Sequence, residues 1–332
     1  MPPRGSPGWC QTEPMMETLD RRGLAYGVSA YVIWGLFPIL MAALEPAAAF
    51  EIVAWRALSS LVVCLAILVF LRGGWARIAA VLRDRRTTLR LVAAGVLIAV
   101  NWGVMVYAVM TERVASTSLG YYINPLVTVT LAVVFLGERL RRLQVAAILV
   151  ALIAVAVVAW DMGGVPWISL ALAGSFATYS LIKKGVGAKV DALTGLTIET
   201  AAIAPIAVVV LVLVHQAGDT TFGVRGAAGL GWWHDTMLAG TGTWTAGALL
   251  VFAAGARRLP LNITGMLQYI APTMTFVLAV VYFHEAMPLG RWVGFGFVWI
   301  ALVLFSIDAW RIRPGGARAQ RARAAAIAAE AI

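Results

Sequence analysis

Ten stretches of roughly twenty mostly apolar residues govern what this chain can fold into. They lie at 24–44, 52–71, 91–110, 114–136, 144–160, 166–182, 192–214, 236–256, 261–283 and 289–310. A helix needs about 20 apolar residues to cross a hydrocarbon core ~30 Å thick. Backbone N–H and C=O groups find no water there, so each stretch predicts a helix. Strands of a membrane barrel would alternate apolar with polar positions, and Val145–Ala159 does not alternate. The first stretch is too long for a cleavable signal and lacks a small-residue cleavage motif, so it predicts a retained span. Composition excludes the soluble alternatives: 61% of the 332 residues are hydrophobic and 13% charged. A soluble domain carries roughly 45–50% and about 25%.

Charge then orients the stretches. Of the 26 Lys and Arg, twenty-two fall in the two tails and the connections on one side, including six in 72–90. Three, Arg113, Arg225 and Arg291, fall on the other side, and Arg56 alone lies inside a stretch. Basic residues stay in the cytoplasm, so this bias predicts cytoplasmic termini and an even number of spans. The net charge of +10 is thereby used by topology, and no motif supports nucleic-acid binding. The Arg/Ala-rich end reads as a basic tail or a helix on anionic lipid. Cys10 and Cys64 form neither a disulfide framework nor a metal cluster.

A shift of 147 residues aligns the chain with itself. Thr117, Tyr122, Ile123, Pro125, Thr128, Leu131–Val134 and Glu138 meet identical residues at 264, 269, 270, 272, 275, 278–281 and 285, giving 10 identities in 22 positions without a gap. Asp161 meets Asp308 at the same shift. The expected architecture is an all-α polytopic membrane protein of ten transmembrane helices in two five-helix repeats. Residues 1–23 form an N-terminal tail, 24–161 the first repeat, 166–311 the second and 312–332 a basic C-terminal tail. Five is odd, so the second repeat enters the membrane inverted, a plan common in secondary transporters.

Several motifs carry a family resemblance. They are Ala30-Tyr31 with Trp34-Gly35, Asn101-Trp102, Ser118–Leu126 with Leu136–Arg139, and Gln268–Thr273. In this order they resemble the RarD group of EamA-type permeases, in the drug/metabolite transporter superfamily, over about residues 20–311. The resemblance implies ten helices around a central solute pathway and a chloramphenicol-related permease of the bacterial inner membrane. Ser116 stands where the family pattern resembles an acidic residue, so no carboxylate role is carried to it. His284 stands where a glycine is expected before Glu285.

Polar residues at bilayer depth are the candidate site. Arg56 and Glu199 occupy equivalent positions in the second and seventh stretches. Three readings stay open: an ion pair locking the halves, solute or proton coupling through Glu199, or separate placement with Arg56 snorkelling. Asn101, Trp102, Asn124, Gln268, Trp34, Tyr121, Tyr122, Tyr179 and Tyr269 are candidates for lining the pathway, with interhelical hydrogen bonding the alternative for the amides. Tyr31 and Tyr107 complete the aromatic set, which suits a partly apolar solute. Asn124-Pro125 and Pro272 predict breaks in the fourth and ninth helices, serving as hinges or as packing kinks. Trp160, Trp167, Trp232, Trp233 and Trp310 read as interface anchors. His215, His234 and His284 fall on the outward side as solvated loop residues, short of a metal site unless they converge. Gly290 and Gly294 predict a close helix contact, within the bundle or in a dimer.

No nucleotide-binding, zinc-protease, serine-hydrolase or clustered acidic motif occurs, so an enzyme or an ATP-driven pump is not expected, and no cofactor or metal is. The expectation is a secondary transporter moving a small metabolite or drug-like solute by alternating access. An amino-acid or other metabolite exporter or exchanger is the alternative, followed by a membrane enzyme. The expected partners are the solute and the bilayer; substrate, direction, proton coupling and oligomeric state stay open.

Overall fold

The computed structural model describes residues 20–71, 73–136, 140–186, 189–224, 231–256, 258–259 and 261–311. Residues 1–19 of the expected N-terminal tail, the expected C-terminal tail, Cys10, Glu138 and Arg225 lie outside the described residues; residues 21–23 of that N-terminal tail belong to the first helix. Helices occupy all ten expected stretches: α1 (Arg21–Gly35) with α2 (Phe37–Ala42), α3 (Ala49–Phe70), α5 (Arg85–Met110), α6 (Val114–Leu136), α7 (Arg142–Asp161), α8 (Trp167–Val186), α9 (Ala192–Ala217), α10 (Trp232–Ala256), α11 (Leu261–Leu267) with α12 (Ile270–Val281), and α13 (Leu289–Arg311). Among the described residues, seven helices are long and apolar enough to cross a membrane, counting α1–α2 as one.

Capping explains several helix starts. The Asp84 carboxylate accepts the Thr87 amide at 3.2 Å and the Thr87 hydroxyl at 2.7 Å, opening α5. Asp191 does the same for α9, from the Thr194 amide at 3.0 Å and hydroxyl at 2.7 Å. Each supplies an acceptor to a turn whose amides have no helical partner. Glycine at 218, with φ 76°, closes α9 in the left-handed conformation that side chains resist.

The prolines act unequally. The ninth stretch breaks at Gln268-Tyr269, and Pro272 sits in the first turn of α12, where a missing N–H removes no bond. The first stretch breaks at Leu36, just before Pro38, for the same reason. The break expected at Asn124-Pro125 is absent: α6 is helical from Val114 to Leu136 with Pro125 inside it. Neighbouring helices hold such a segment in register inside a bundle. A helix that sequence reading treated as loop, α4 (Gly74–Arg83), lies in the arginine-rich connection, with Gly74 and Val81 buried and Trp75, Arg77 and Leu82 exposed.

Helix α3 packs against both α9 and α10, α5 against α8 and α9, and α6 against α8 and α12; α1 lies on α10 and α7 along α13. A core of Met41, Leu44, Ile52, Val106, Leu172 and Leu238 joins α3, α5, α8 and α10 with the 37–44 segment. Large apolar side chains such as Leu149, Leu152, Val209 and Val303 face outward, as lipid contact requires. Small residues let backbones touch. A Cβ at Gly95 would lie 2.7 Å from the Glu199 carbonyl oxygen, and one at Gly120 would lie 2.8 Å from that of Ser169. The Gly242 amide donates to Ser59 Oγ at 2.9 Å. Gly290 and Gly294 meet Asp161 and Val158 of α7, so this glycine pair serves packing within the chain.

Candidate functional site

The α7–α13 pair is antiparallel and closed by a charge pair at each end. Asp161, ending α7, lies 3.6 Å from Arg291 at the start of α13. Asp308, near the end of α13, lies 3.0 Å from Arg141 at the start of α7. The two aspartates are those matched by the 147-residue shift. Glu285 accepts the amides of Val114 and Ala115, capping α6 from the far half of the chain. Burial pushes the Glu285 carboxyl upward, against the pull of those two amides and of Arg291.

The polar centre is built around α5. Asn101, 1% exposed, donates to the Leu172 carbonyl and to Ser175 Oγ, both at 3.0 Å. Its oxygen accepts the Tyr121 hydroxyl at 3.0 Å. The amide is therefore used on both sides, as burial demands. Tyr121 meets Phe176 edge to face, and Phe176 leads to Tyr179. The Tyr179 hydroxyl donates to Glu199 at 3.3 Å, and Lys183 Nζ donates to the same carboxylate at 2.6 Å.

The expected Arg56–Glu199 ion pair does not form. Lys183 on the adjoining helix α8 takes Glu199 instead. Arg56 Nε donates to Thr245 Oγ1 at 2.9 Å, and its guanidinium lies between the rings of Phe37, at 4.6 Å, and Trp102, at 4.3 Å. The two positions matched in sequence, in α3 and α9, thus carry opposite charges with separate partners. Sequence reading assigned Lys183 to a connection. The signal that would have found it is the four-residue step from Tyr179 to Lys183, which puts both on the face of α8 turned to Glu199.

The other candidates fall into three places. Trp34 joins Tyr31 and Phe252 in an aromatic cluster between α1 and α10, with ring centroids 5.3–5.8 Å apart. Tyr122 and Tyr269 line a second site, a groove of about 960 Å³ walled also by Thr273, Phe276 and Trp299. There the Tyr122 hydroxyl bonds Thr273 Oγ1 at 2.8 Å, and one turn earlier Ser118 Oγ donates to the Pro272 carbonyl at 2.8 Å. Asn124 is in α6 with its oxygen buried and unpartnered, and Gln268 is half-buried at the break in the ninth stretch. Trp160, Trp167, Trp232 and Trp233 are exposed, the first at 91%, as anchors at a membrane surface would be.

One further group escaped sequence reading and another was misplaced by it. Glu51, fully buried in the first turn of α3, accepts the Thr221 and Phe222 amides and the Thr220 and Thr221 hydroxyls. It thereby ties the segment after α9 across the end of α3, where Phe222 stacks on Trp55 at 4.2 Å. His234 is buried against the Thr221 hydroxyl at 2.9 Å, contrary to its expected solvated place. His215 and His284 are exposed.

Comparison with known proteins places this architecture. A profile of the EamA-like transporter family matches residues 21–160. The Protein RarD of Streptomyces exfoliatus is 46% identical over 94% of this chain and 95% of its own. An uncharacterized transporter of Pseudomonas aeruginosa is 40% identical over 88% of this chain and 95% of its own. The Protein RarD of Escherichia coli is 35% identical over 87% and 95%. One crystal structure at 19% identity superposes with a TM-score of 0.56, covering 89% of this chain and 100% of that one, and shares the fold.

Proposed function

The chain belongs to the RarD-type EamA permeases, and from that premise we propose that it is a secondary transporter working by alternating access. It is a multi-pass membrane protein, and the reading places it in the bacterial inner membrane with both termini cytoplasmic. Ten spans in two inverted repeats, 24–161 and 166–311, would hold a small metabolite or drug-like solute between them.

One observation supports this reading: the most extensive helix contacts keep their pattern when each stretch is exchanged for the one five places on. The first packs on the eighth (α1 on α10) as the sixth packs on the third (α8 on α5). The second packs on the eighth as the seventh packs on the third, while the fifth packs on the tenth and the fourth on the ninth. The exchanged aspartate–arginine pairs at both ends of α7–α13 obey the same rule. A duplication retained for one chain-wide symmetry is what a pathway between repeats needs. On this reading Asn101, Trp102, Tyr121 and Tyr179 line the centre. Tyr122 and Tyr269 line the groove beside it, Trp34 and Asn124 flank the route, and Gln268 with Pro272 forms a hinge. Pro125 offers a second point of bending within a continuous helix.

The test is flux into proteoliposomes of the purified chain. The probes are labelled chloramphenicol, which a relative's name, chloramphenicol-sensitive protein RarD, suggests, together with amino acids and small organic acids, with and without a pH gradient. Saturable flux of one probe is expected, and its response to the gradient separates coupled transport from exchange. Absence of saturable flux across the panel from folded protein would overturn the reading.

A further inference from the structure

Arg56 carries a charge that no acidic side chain among the described residues answers. It sits within α3, 3% exposed, five residues and thus about 7.5 Å of helix inward from Glu51. Among the described residues no carboxylate lies within 4.0 Å of it. Glu199, its equivalent in the other half, is held by Lys183. Of its donors, Nε reaches Thr245, while Nη1 is buried without a partner. A guanidinium has five N–H donors and no acceptor, and it keeps its charge in proteins. Two aromatic faces stabilise the cation but accept no directed hydrogen bond. An unpaired donor on a buried cation is the arrangement that an incoming anion stabilises most.

We propose that Arg56 is the anion subsite of the solute, so that this chain takes a small carboxylate with an apolar or aromatic body. The carboxylate would accept from Arg56, with Thr245 beside it, and the body would lie against Phe37, Trp102 and Tyr121. This rests on the transporter reading and adds the substrate class to it. Arginine is the residue that meets a planar carboxylate through paired N–H donors, which lysine cannot match. Fixing the anion between helices from both halves (α3 and α5 with α10) also places it where alternating access requires a solute to sit.

The experiment is titration calorimetry on the full chain in detergent free of anionic lipid. The probes are three acids, phenylacetate, indole-3-acetate and hexanoate, each beside its neutral primary amide. At least one acid is expected to bind about tenfold or more tightly than its amide, about 1.4 kcal/mol. Arg56→Gln should abolish that preference, and Arg56→Lys should keep only part of it. Equal affinity for acid and amide, no binding of any acid, or an unchanged preference in Arg56→Gln overturns the proposal. If Arg56→Gln does not fold, the acid-to-amide ratio of the unaltered chain decides. The outcomes separate from those of the transporter reading. Acid binding at Arg56 with no flux of any probe defeats transport and keeps the subsite. Saturable flux of neutral probes alone defeats the subsite and keeps transport.

Discussion

Replacing Lys183 by Met tests the pairing at the centre of the bundle. The substitution keeps the length of the side chain and removes its charge, leaving Glu199, whose side chain is 1% exposed, with the Tyr179 hydroxyl alone. Stripping one partner from a buried pair costs about 3–5 kcal/mol, because the remaining charge is stranded. The Lys183 side chain keeps 27% of its exposure, so solvent screens part of the loss and about 2–3 kcal/mol is expected. At roughly 2 °C per kcal/mol for a chain of this length, the apparent midpoint of thermal unfolding falls by about 4–6 °C. Glu199→Gln removes the stranded charge, so the double variant recovers much of the loss, and the cycle yields a coupling of about 1–3 kcal/mol. Intrinsic tryptophan fluorescence in detergent measures all four proteins. Additive single effects, within about 0.5 kcal/mol, would refute the Lys183–Glu199 assignment. A large coupling between Arg56 and Glu199 instead would restore the pairing expected from the repeat alignment.

Three further perturbations follow from the packing and the caps. Gly242→Ala forces a Cβ into the Ser59–Ser60 backbone and should cost about 1–3 kcal/mol in the same assay, whereas Gly240→Ala, into open space, should not destabilise. His284 holds a φ of 51°, so His284→Gly relieves a left-handed side-chain conformation and should raise stability by about 1 kcal/mol. Asp84 is held below the usual carboxylate range, foremost by the Thr87 hydroxyl. Burial raises Asp191, but the Thr194 amide and hydroxyl and Arg77 outweigh it, so it too ends low. A depressed carboxylate contributes stability in full above its unfolded value of about 3.9 and loses it as pH falls through the lower folded value. The chain should therefore weaken below about pH 4, and the paired variant Asp84→Asn with Asp191→Asn should flatten that slope.

The sequence carried the positions of the helices because lipid imposes a length and a composition on each one. It pointed to a repeat because Tyr122, Pro125 and Asp161 have identical mates at 147 residues. Partners were less legible. Lys183 sits at the cytoplasmic-looking end of an apolar run, where charge counting assigns it to a connection, yet α8 continues to Val186 and turns it onto Glu199. Alignment of Arg56 with Glu199 matches positions in sequence, and matched positions need not touch. Pro125 and Pro272 show the same limit. Identical residues at matched positions bend the chain differently, because Pro272 follows a break at Gln268-Tyr269 while Pro125 has about three turns of α6 before it. Glu51 gave no signal, since its partners lie about 170 residues on, in a segment without a motif.

The departures from symmetry bear on mechanism as much as the symmetry does. Exchange of halves relates the contact of α6 with α8 to that of the ninth stretch with the first, yet α6 lies along α8 over a longer span than α12 lies along α1. The first and ninth stretches are also the two with a break, at Leu36 and at Gln268-Tyr269, and glycines at 27 and 35 meet Leu267 and Met274 across that looser seam. In an inverted-repeat transporter the two seams exchange roles, one tight while the other admits the solute. The broken helices would then supply most of the bending and the continuous α6, flexing only at Pro125, the stiffer wall. Tyr122 belongs to that wall and Tyr269 to the break, so the groove they share with Trp299 would change its width during transport while its lining stays the same.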